Sequence, residues 1–577
     1  MIDRFQRATL LRAQRRPMSG RPARRLQILL AVAFVASLGP APGGGAQAPP
    51  GSLRLPFPQE DGTLTPYTFE LGYPLVTLIY DTLAWRDVSG VARPWLASSI
   101  ELGDQGTRLT IRLAGRAQWQ DGHPVTSEDV AFTFRFVAER YHPRFTPQLS
   151  AIQDVSAPDP ATVVITLRHA APGFLDQPLA DVPILPKHLW ERLSRSQLAP
   201  EGLPLGSGPY RLVEHRPGEL YRFEANPDYF RGPPALRAID VPILTDFEAT
   251  LGAFTRRRVD AIPVSLPRQA VPRVQGFGIR IARGPSYLGT VLVFNLRRPP
   301  FDRVEAREAV AGALDLTRIM RAVGDAVPSE RGYLHPESAW APRRALRPSV
   351  TPPNAAAAIA LNRPIRLLAP NNDPVKLEAG RQVSLALRRA GVSVDLEEVD
   401  REELARAIGE DGSPPDFDAA ISVAPTLASY DPDFLRVIFG SDAPKAPLNY
   451  SGYRSPTFEQ LADRIAGTAD PEARRQAVEQ SLALLAKDLP VAPLFYSQGV
   501  FAYRTAIYDR WVFVKGSGIL DKRSFVPSSA VRATSAPEQG GDAGRGPRFN
   551  FSFGLVALGL AAAAVAVAVA GAVRRSR

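Results

Sequence analysis

Alternation of apolar and polar positions marks the first strands. Leu109, Ile111 and Leu113 alternate with Thr110 and Arg112, and Val163, Ile165 and Leu167 repeat the pattern, so each segment predicts a half-buried strand. Between them, residues 117–137 read as strand end, turn and helix start. Asp121-Gly122 is a turn pair, because Gly takes positive φ without a Cβ clash. Thr126 and Asp129 resemble a capping box with Asp in place of Glu or Gln, and Val130, Phe134 and Val137 recur at helical spacing. Ile184-Leu185-Pro186-Lys187-His188 is a short turn into a helix. Gly206-Ser207-Gly208-Pro209-Tyr210 feeds a strand (210–213) whose hairpin partner is 221–224, and Asn226-Pro227-Asp228-Tyr229-Phe230 closes the hairpin region. A strand at 239–244 and a helix at 246–254 follow.

Val291-Leu292-Val293-Phe294 is continuously apolar, as suits a strand inside a sheet. The next helix is expected to open with a capping box at Asp302 and Glu305. Ala306, Ala309, Ala313, Leu316, Met320 and Val323 would form its apolar face. Residues 342–362, rich in Pro, Ala and Arg, read as a surface connection. From Ile365 the order is strand (365–368), helix (376–390), strand (392–396), strand (417–423), which predicts an α/β domain with mostly parallel strands. Helices at about 456–466 and 471–488 close it, the second with Asp470 as N-cap and Pro471 at N1. Extended structure returns over 494–503.

The two ends read differently from the body. An Arg-rich start, a short apolar run from Leu26 to Leu38 and the small residues Ala46-Gln47-Ala48 match a secretory signal over residues 1–48, cleaved after Ala48. Arg24-Arg25 is compatible with twin-arginine export; the general secretory route is the simpler reading, and an uncleaved signal anchor is the alternative to cleavage. At the other end, residues 553–573 carry no charge and would span roughly 30 Å as a helix. The expected order is a flexible linker (527–548), a transmembrane helix (549–573) and a cytoplasmic tail (574–577) held inside by Arg574, Arg575 and Arg577.

Charge and composition narrow the function. The chain has 577 residues, enough for two or three domains, and a net charge of +11. Residues 1–48 hold +7 and residues 545–577 hold +5, so the globular part is near neutral and a nucleic-acid surface is not expected. There is no Cys, which excludes disulfides, thiolate metal sites and a Cys nucleophile. The six His (123, 142, 169, 188, 215, 335) show no i,i+3 or i,i+4 pair, so no metal cluster and no cofactor are expected. No G-x-S-x-G, H-E-x-x-H or Walker-type loop is present.

In their order, the segments 79–83, 94–97, 119–130, 184–188, 206–210, 226–230, 307–315 and 430–435 resemble the extracytoplasmic solute-binding proteins of peptide- and nickel-type ABC importers, solute-binding protein family 5. The resemblance implies an α/β bilobal periplasmic-binding-protein-like fold of the large, peptide-binding (cluster C) type, here with one C-terminal transmembrane helix. Lobe I would span 49–285, with an extra subdomain at about 76–200, and be completed by 490–526; lobe II would span 286–489. Trp119, Asp121, Gly122, Asp129, Gly206, Gly208, Tyr210, Asn226 and Tyr229 would serve the scaffold.

Peptide-binding relatives place an Asp three residues before an Asp-Pro or Glu-Pro pair to receive the α-ammonium of the peptide. Here that position is Ala428, followed by Ser429, Tyr430 and Asp431-Pro432. The missing carboxylate points to another solute or another anchor; nickel-type relatives also lack it, which does not establish nickel. Tyr80, Trp85, Tyr287, Trp340, Ser429, Tyr430 and Asp431 are the expected contact residues, the aromatics because rigid rings line pockets at low ordering cost. The implied function is a monomeric, non-enzymatic receptor. It would hold a peptide-like or other small polar solute and deliver it to ABC permease subunits, with its body outside the cytoplasmic membrane. A tethered receptor or scaffold without transport, and an exported hydrolase, are the competing readings.

Overall fold

A computed structural model describes residues 51–527 except 70, 330–331, 347–353, 360 and 444. The expected export signal, transmembrane helix and tail lie outside the described residues, as does the linker apart from Pro527. Among the described residues no helix is long and apolar enough to cross a membrane.

The first lobe is built on two four-stranded sheets. One runs Ser52–Arg54, Ala238–Pro242, Leu220–Ala225, Tyr210–Arg216, with its first pair parallel and the rest antiparallel. The other is antiparallel throughout, in the order Ala97–Gly103, Arg108–Leu113, Thr162–Leu167, Ile152–Asp159. Its buried face carries Leu109, Ile111, Val163 and Ile165, and the helix Ser127–Glu139 lays Val130, Phe134 and Val137 against them, as the two periodicities require. Residues 76–79 belong to a helix, Tyr73–Ile79.

The second lobe packs helices on both faces of one sheet. Ile365–Pro370 lies between Val394–Val399 and Ala419–Ala424, all parallel as expected. The sheet then departs from the expectation. Ile279–Phe294 runs antiparallel to Ala419–Ala424 and to Val491–Arg504, so the sheet is mixed and mostly antiparallel. The reason is connectivity: these two long strands form a ribbon that enters from the first lobe and returns to it. Val291 and Val293 face one helical layer and Leu292 and Phe294 the other, which explains an apolar run without alternation.

The helix expected across 302–323 is two helices, Val304–Ala313 and Leu316–Val323. Leu314 is extended, and the Asp315 side chain accepts from Arg318 N at 2.9 Å, so Asp315 starts a new helix. Arg303, not Asp302, holds the first N-cap position, and no side chain caps it. Asp470 does cap Pro471–Asp488, accepting from Ala473 N at 2.7 Å.

The ribbon is continuous through both lobes but not regular. Its register shifts between Pro285 and Gly289, opposite Tyr496 and Gln498, and Ser286, Tyr287 and Leu288 loop out with Tyr287 at φ 58°. On one side of this kink the ribbon packs Val500 and Ala502 into the first lobe, on the other Leu292 and Phe294 into the second.

Candidate functional site

Four of the landmark segments and the C-terminal return meet at one buried carboxylate. Asp81 Oδ1 accepts from Lys522 Nζ at 2.8 Å, Trp95 Nε1 at 2.8 Å and Tyr229 OH at 3.0 Å, and Oδ2 accepts from Ser207 Oγ at 3.2 Å. Both members of the Lys522–Asp81 pair are fully buried, and the ammonium also faces the Trp85 and Trp95 rings at 4.2 and 5.1 Å. Burial pulls the Lys522 pKa down, and the Asp81 carboxylate opposes that pull. Gly206 is the residue that lets the turn approach: a Cβ there would come within 2.0 Å of Ile79 O.

The segment at 119–129 locks neighbouring elements in the same way. Asp129 Oδ2 accepts from Thr126 N at 2.8 Å, its Oδ1 accepts from Lys187 N at 2.9 Å, and Gln120 Nε2 donates to Tyr210 O at 2.8 Å. Asn226 Nδ2 donates to Gly208 O at 3.1 Å, and Trp119 is buried in the core of the first lobe. These contacts are internal to the first lobe.

The open space lies between the lobes. A cavity of about 570 Å³ is bounded by Phe57, Leu71 and residues 516–518 from the first lobe, and by Val375, Thr426 and Tyr450 from the second. Among the described residues, five charged ones line it. Lys376 pairs with Asp373, and Arg401 makes two bonds to Glu410 at 2.9 and 3.0 Å. Asp325 is left over: among the described residues no cation pairs with its carboxylate. It follows Gly324, the C-cap of Leu316–Val323, so the negative end of that helix adds to the local potential. Gln498 N donates to Asp325 O at 2.8 Å, which fixes the residue beside the ribbon kink.

The expected contact residues do not line this cavity. Tyr80 is 1% exposed in the first lobe's core, and Trp85 belongs to the Lys522 hub, its Nε1 donating to Asp521 Oδ1 at 3.2 Å. Ser429 is buried; its Oγ accepts from His335 N at 3.0 Å and its carbonyl from Ser338 Oγ at 2.6 Å. Ala428 is buried in the second lobe's core and presents nothing to a ligand.

Asp431 is held by Arg474 at 2.7 and 2.9 Å, with both side chains buried, and Trp340 stacks on the same guanidinium at 4.6 Å. That group borders a second cavity of about 340 Å³, between residues 148–177 and 431–474. Tyr430 joins the lobes. Its OH donates to Lys515 O at 2.5 Å, Arg86 lies over its ring at 4.0 Å, and Tyr287 packs at 5.4 Å. Gly516, on the cavity wall, admits the Tyr430 hydroxyl where a Cβ would sit 2.1 Å away.

His335, beside Tyr287 at 4.8 Å, is buried, and burial lowers its pKa to about 4. Its Nδ1 accepts from Glu337 N at 3.0 Å, which leaves the proton on Nε2. The expectation of no metal cluster rested on local spacing, yet the fold brings His123, His188 and Asp121 together on the surface.

Comparison with known proteins agrees with this geometry. Residues 91–446 match the model of the bacterial extracellular solute-binding proteins, family 5 Middle. A Brucella ovis protein assigned as an ABC transporter peptide-binding protein is 25% identical over 403 residues, 67% of this chain and 75% of the relative. The oligopeptide-binding protein AppA of Bacillus subtilis is 24% identical over 443 residues, 73% of this chain and 81% of the relative. The structure of AppA with a nonapeptide superposes with a TM-score of 0.71 at 20% identity, covering 82% of this chain and 98% of AppA. NikZ of Campylobacter jejuni with Ni(L-His) gives 0.70 at 19% identity, covering 79% of this chain and 94% of NikZ. The fold is the α/β bilobal periplasmic-binding-protein fold of the peptide-binding type, and the chain belongs to family 5 of the bacterial extracellular solute-binding proteins, the non-enzymatic receptors of ABC importers.

Proposed function

We propose that the chain captures a small solute carrying an ammonium group, peptide-like in polarity, between its lobes and delivers it to the membrane subunits of an ABC permease. The observation that carries this reading is the Asp325 carboxylate in the inter-lobe cavity, which pairs with no cation among the described residues. A cavity of about 570 Å³ lies within the roughly 300–1,000 Å³ of small-molecule pockets. Its paired charges cancel, so Asp325 supplies the net charge, and a cationic group is the complement. Relatives hold a nonapeptide or a nickel–histidine complex, cargoes that contain amino-acid groups. With Ala428 in place of the anchoring Asp of peptide-binding relatives, Asp325 takes over that task from the opposite side of the kink.

In this reading lobe I comprises 49–285 and 490–526, lobe II comprises 286–489, and the ribbon kink is the hinge. Tyr287 and Tyr430 form the joint that opens to admit solute. The C-terminal segment 549–573 tethers the body to the outer face of the cytoplasmic membrane, and the protein works as a monomer. Three measurements test it. Removing residues 545–577 should release a soluble body, and mass spectrometry of that body should find an amine-bearing solute. Small-angle scattering should show compaction on adding that solute. A body that never compacts with any peptide, amino acid or metal chelate would sink the reading, and a truncated body still on the membrane would sink the tether.

A further inference from the structure

The turn after the second strand of the antiparallel sheet holds a group of ligating atoms that the cleft does not use. Asp121 Oδ2 lies 2.8 Å from His188 Nε2, and Asp121 Oδ1 lies 3.1 Å from His123 Nδ1. The two imidazole rings are 4.6 Å apart and inclined by 33°. One nitrogen of each His and one carboxylate oxygen all fall within 4.8 Å of one another. We propose that these three residues form an exchangeable site for a first-row transition-metal ion, of the Ni²⁺, Cu²⁺ or Zn²⁺ kind.

The chemistry of the donors selects the ion. Two imidazole nitrogens and one carboxylate suit Zn²⁺, Ni²⁺ and Cu²⁺, whereas Mg²⁺ and Ca²⁺ need a shell of oxygens. With metal–ligand bonds of about 2.0–2.1 Å, neighbouring donors in a tetrahedral site stand roughly 3.3 Å apart. Each His–Asp separation is close to that, but the two run to different carboxylate oxygens, so His123 must shift toward the oxygen that faces His188. His123 is free to make that adjustment, because 64% of its side chain is exposed.

The other two ligands are held from behind. Gly122 at φ 92° makes the tight turn, closed by Gly122 N donating to Trp119 O at 2.9 Å and Trp119 N to His123 O at 2.8 Å. His188 rides on the short helix Lys187–Trp190, which Asp129 pins through Lys187 N. A frame of two placed ligands and one mobile ligand, open to solvent on the remaining side, binds and releases an ion without local refolding. Three protein ligands leave a coordination position for water or for a donor from outside the chain.

The test uses the untagged full-length protein, titrated with NiCl₂, CuCl₂ and ZnCl₂ by calorimetry and, for Cu²⁺, by its visible absorption band. A single ion per chain is expected, with histidine-type copper absorption. His123→Ala, exposed enough to leave folding intact, should weaken binding by at least about tenfold. Asp325→Asn in the cleft should leave metal binding unchanged, which keeps this site separate from the solute site. No binding by the wild type, equal affinity in His123→Ala, or loss of binding in Asp325→Asn would each overturn the proposal.

Discussion

Two carboxylates, Asp81 and Asp325, sit in the same chain under opposite rules. Asp81 is fully buried and surrounded by Lys522, Trp95, Tyr229 and Ser207, so its charge is consumed by the fold. Asp325 stands in the inter-lobe cavity at the negative end of a helix, with no cation against it among the described residues. A buried carboxylate without partners would be strongly disfavoured, so the first needs its donors to exist at all. The second lies where water or a solute can meet it. Burial with complete pairing marks scaffold; partial exposure without pairing marks capacity to bind.

The comparison breaks most visibly at Lys522. Lys522→Ala leaves the Asp81 charge buried and uncompensated, and should cost about 3–5 kcal/mol of stability. Thermal or urea unfolding of the body reads it, and a loss under about 1 kcal/mol would show that Asp81 is not the internal hub its contacts suggest.

Next in size is acid. His335 near the cleft and His142 in the first lobe are both buried, and burial lowers each pKa from 6.5 to about 4. An unfolded chain then binds more protons than the folded one between these values. Stability present above pH 6.5 is therefore lost as pH falls toward 4, by up to about 3 kcal/mol per histidine. His335→Asn, whose Oδ1 can accept from Glu337 N as Nδ1 does, should flatten part of that slope without changing stability at pH 8 by a comparable amount. An unchanged slope would place the acid sensitivity elsewhere.

Much of this architecture was legible because it is written locally. Period-two alternation located Arg108–Leu113 and Thr162–Leu167, and Asp470-Pro471 located a helix start to the residue. Periodicity failed where two helices share one apolar face: Leu316 continues the stripe of Ala306 and Ala309, which hid the break that Asp315 caps.

The candidate site was less legible, for a physical reason. The missing carboxylate at Ala428 could be read, but the anchor proposed in its place could not, since Asp325 follows a helix-ending Gly and looks like ordinary turn chemistry. Lys522 lies in Asp521-Lys522-Arg523, a charge run that reads as solvated surface until the fold wraps Asp81 and two indoles around it. His188 is 67 residues from Asp121, beyond any spacing rule.

Asp325→Asn sharpens the comparison from the other side. It removes the charge and keeps the shape, so unfolding should be unchanged within about 0.5 kcal/mol. Affinity for the co-purifying solute should fall by roughly tenfold to a hundredfold, the worth of about 1.5–3 kcal/mol for a hydrogen bond to a charged group. Equal affinity would remove Asp325 from the solute site and leave the cavity without an anchor.

The smallest effect belongs to Tyr430, which lies between the two regimes. Its ring is packed like scaffold, under Arg86 and beside Tyr287, yet its hydroxyl reaches across the joint to Lys515 O. Tyr430→Phe keeps the packing and removes that bond, worth about 1 kcal/mol net. If the bond forms only when the lobes close, its loss weakens solute affinity about fivefold, speeds release and leaves the unfolding of the solute-free body unchanged. If the bond is permanent, stability falls by the same amount and affinity does not. Paired unfolding and binding measurements on this one variant therefore decide whether the joint at Tyr430 belongs with Asp81, as fixed structure, or with Asp325, as part of the binding event.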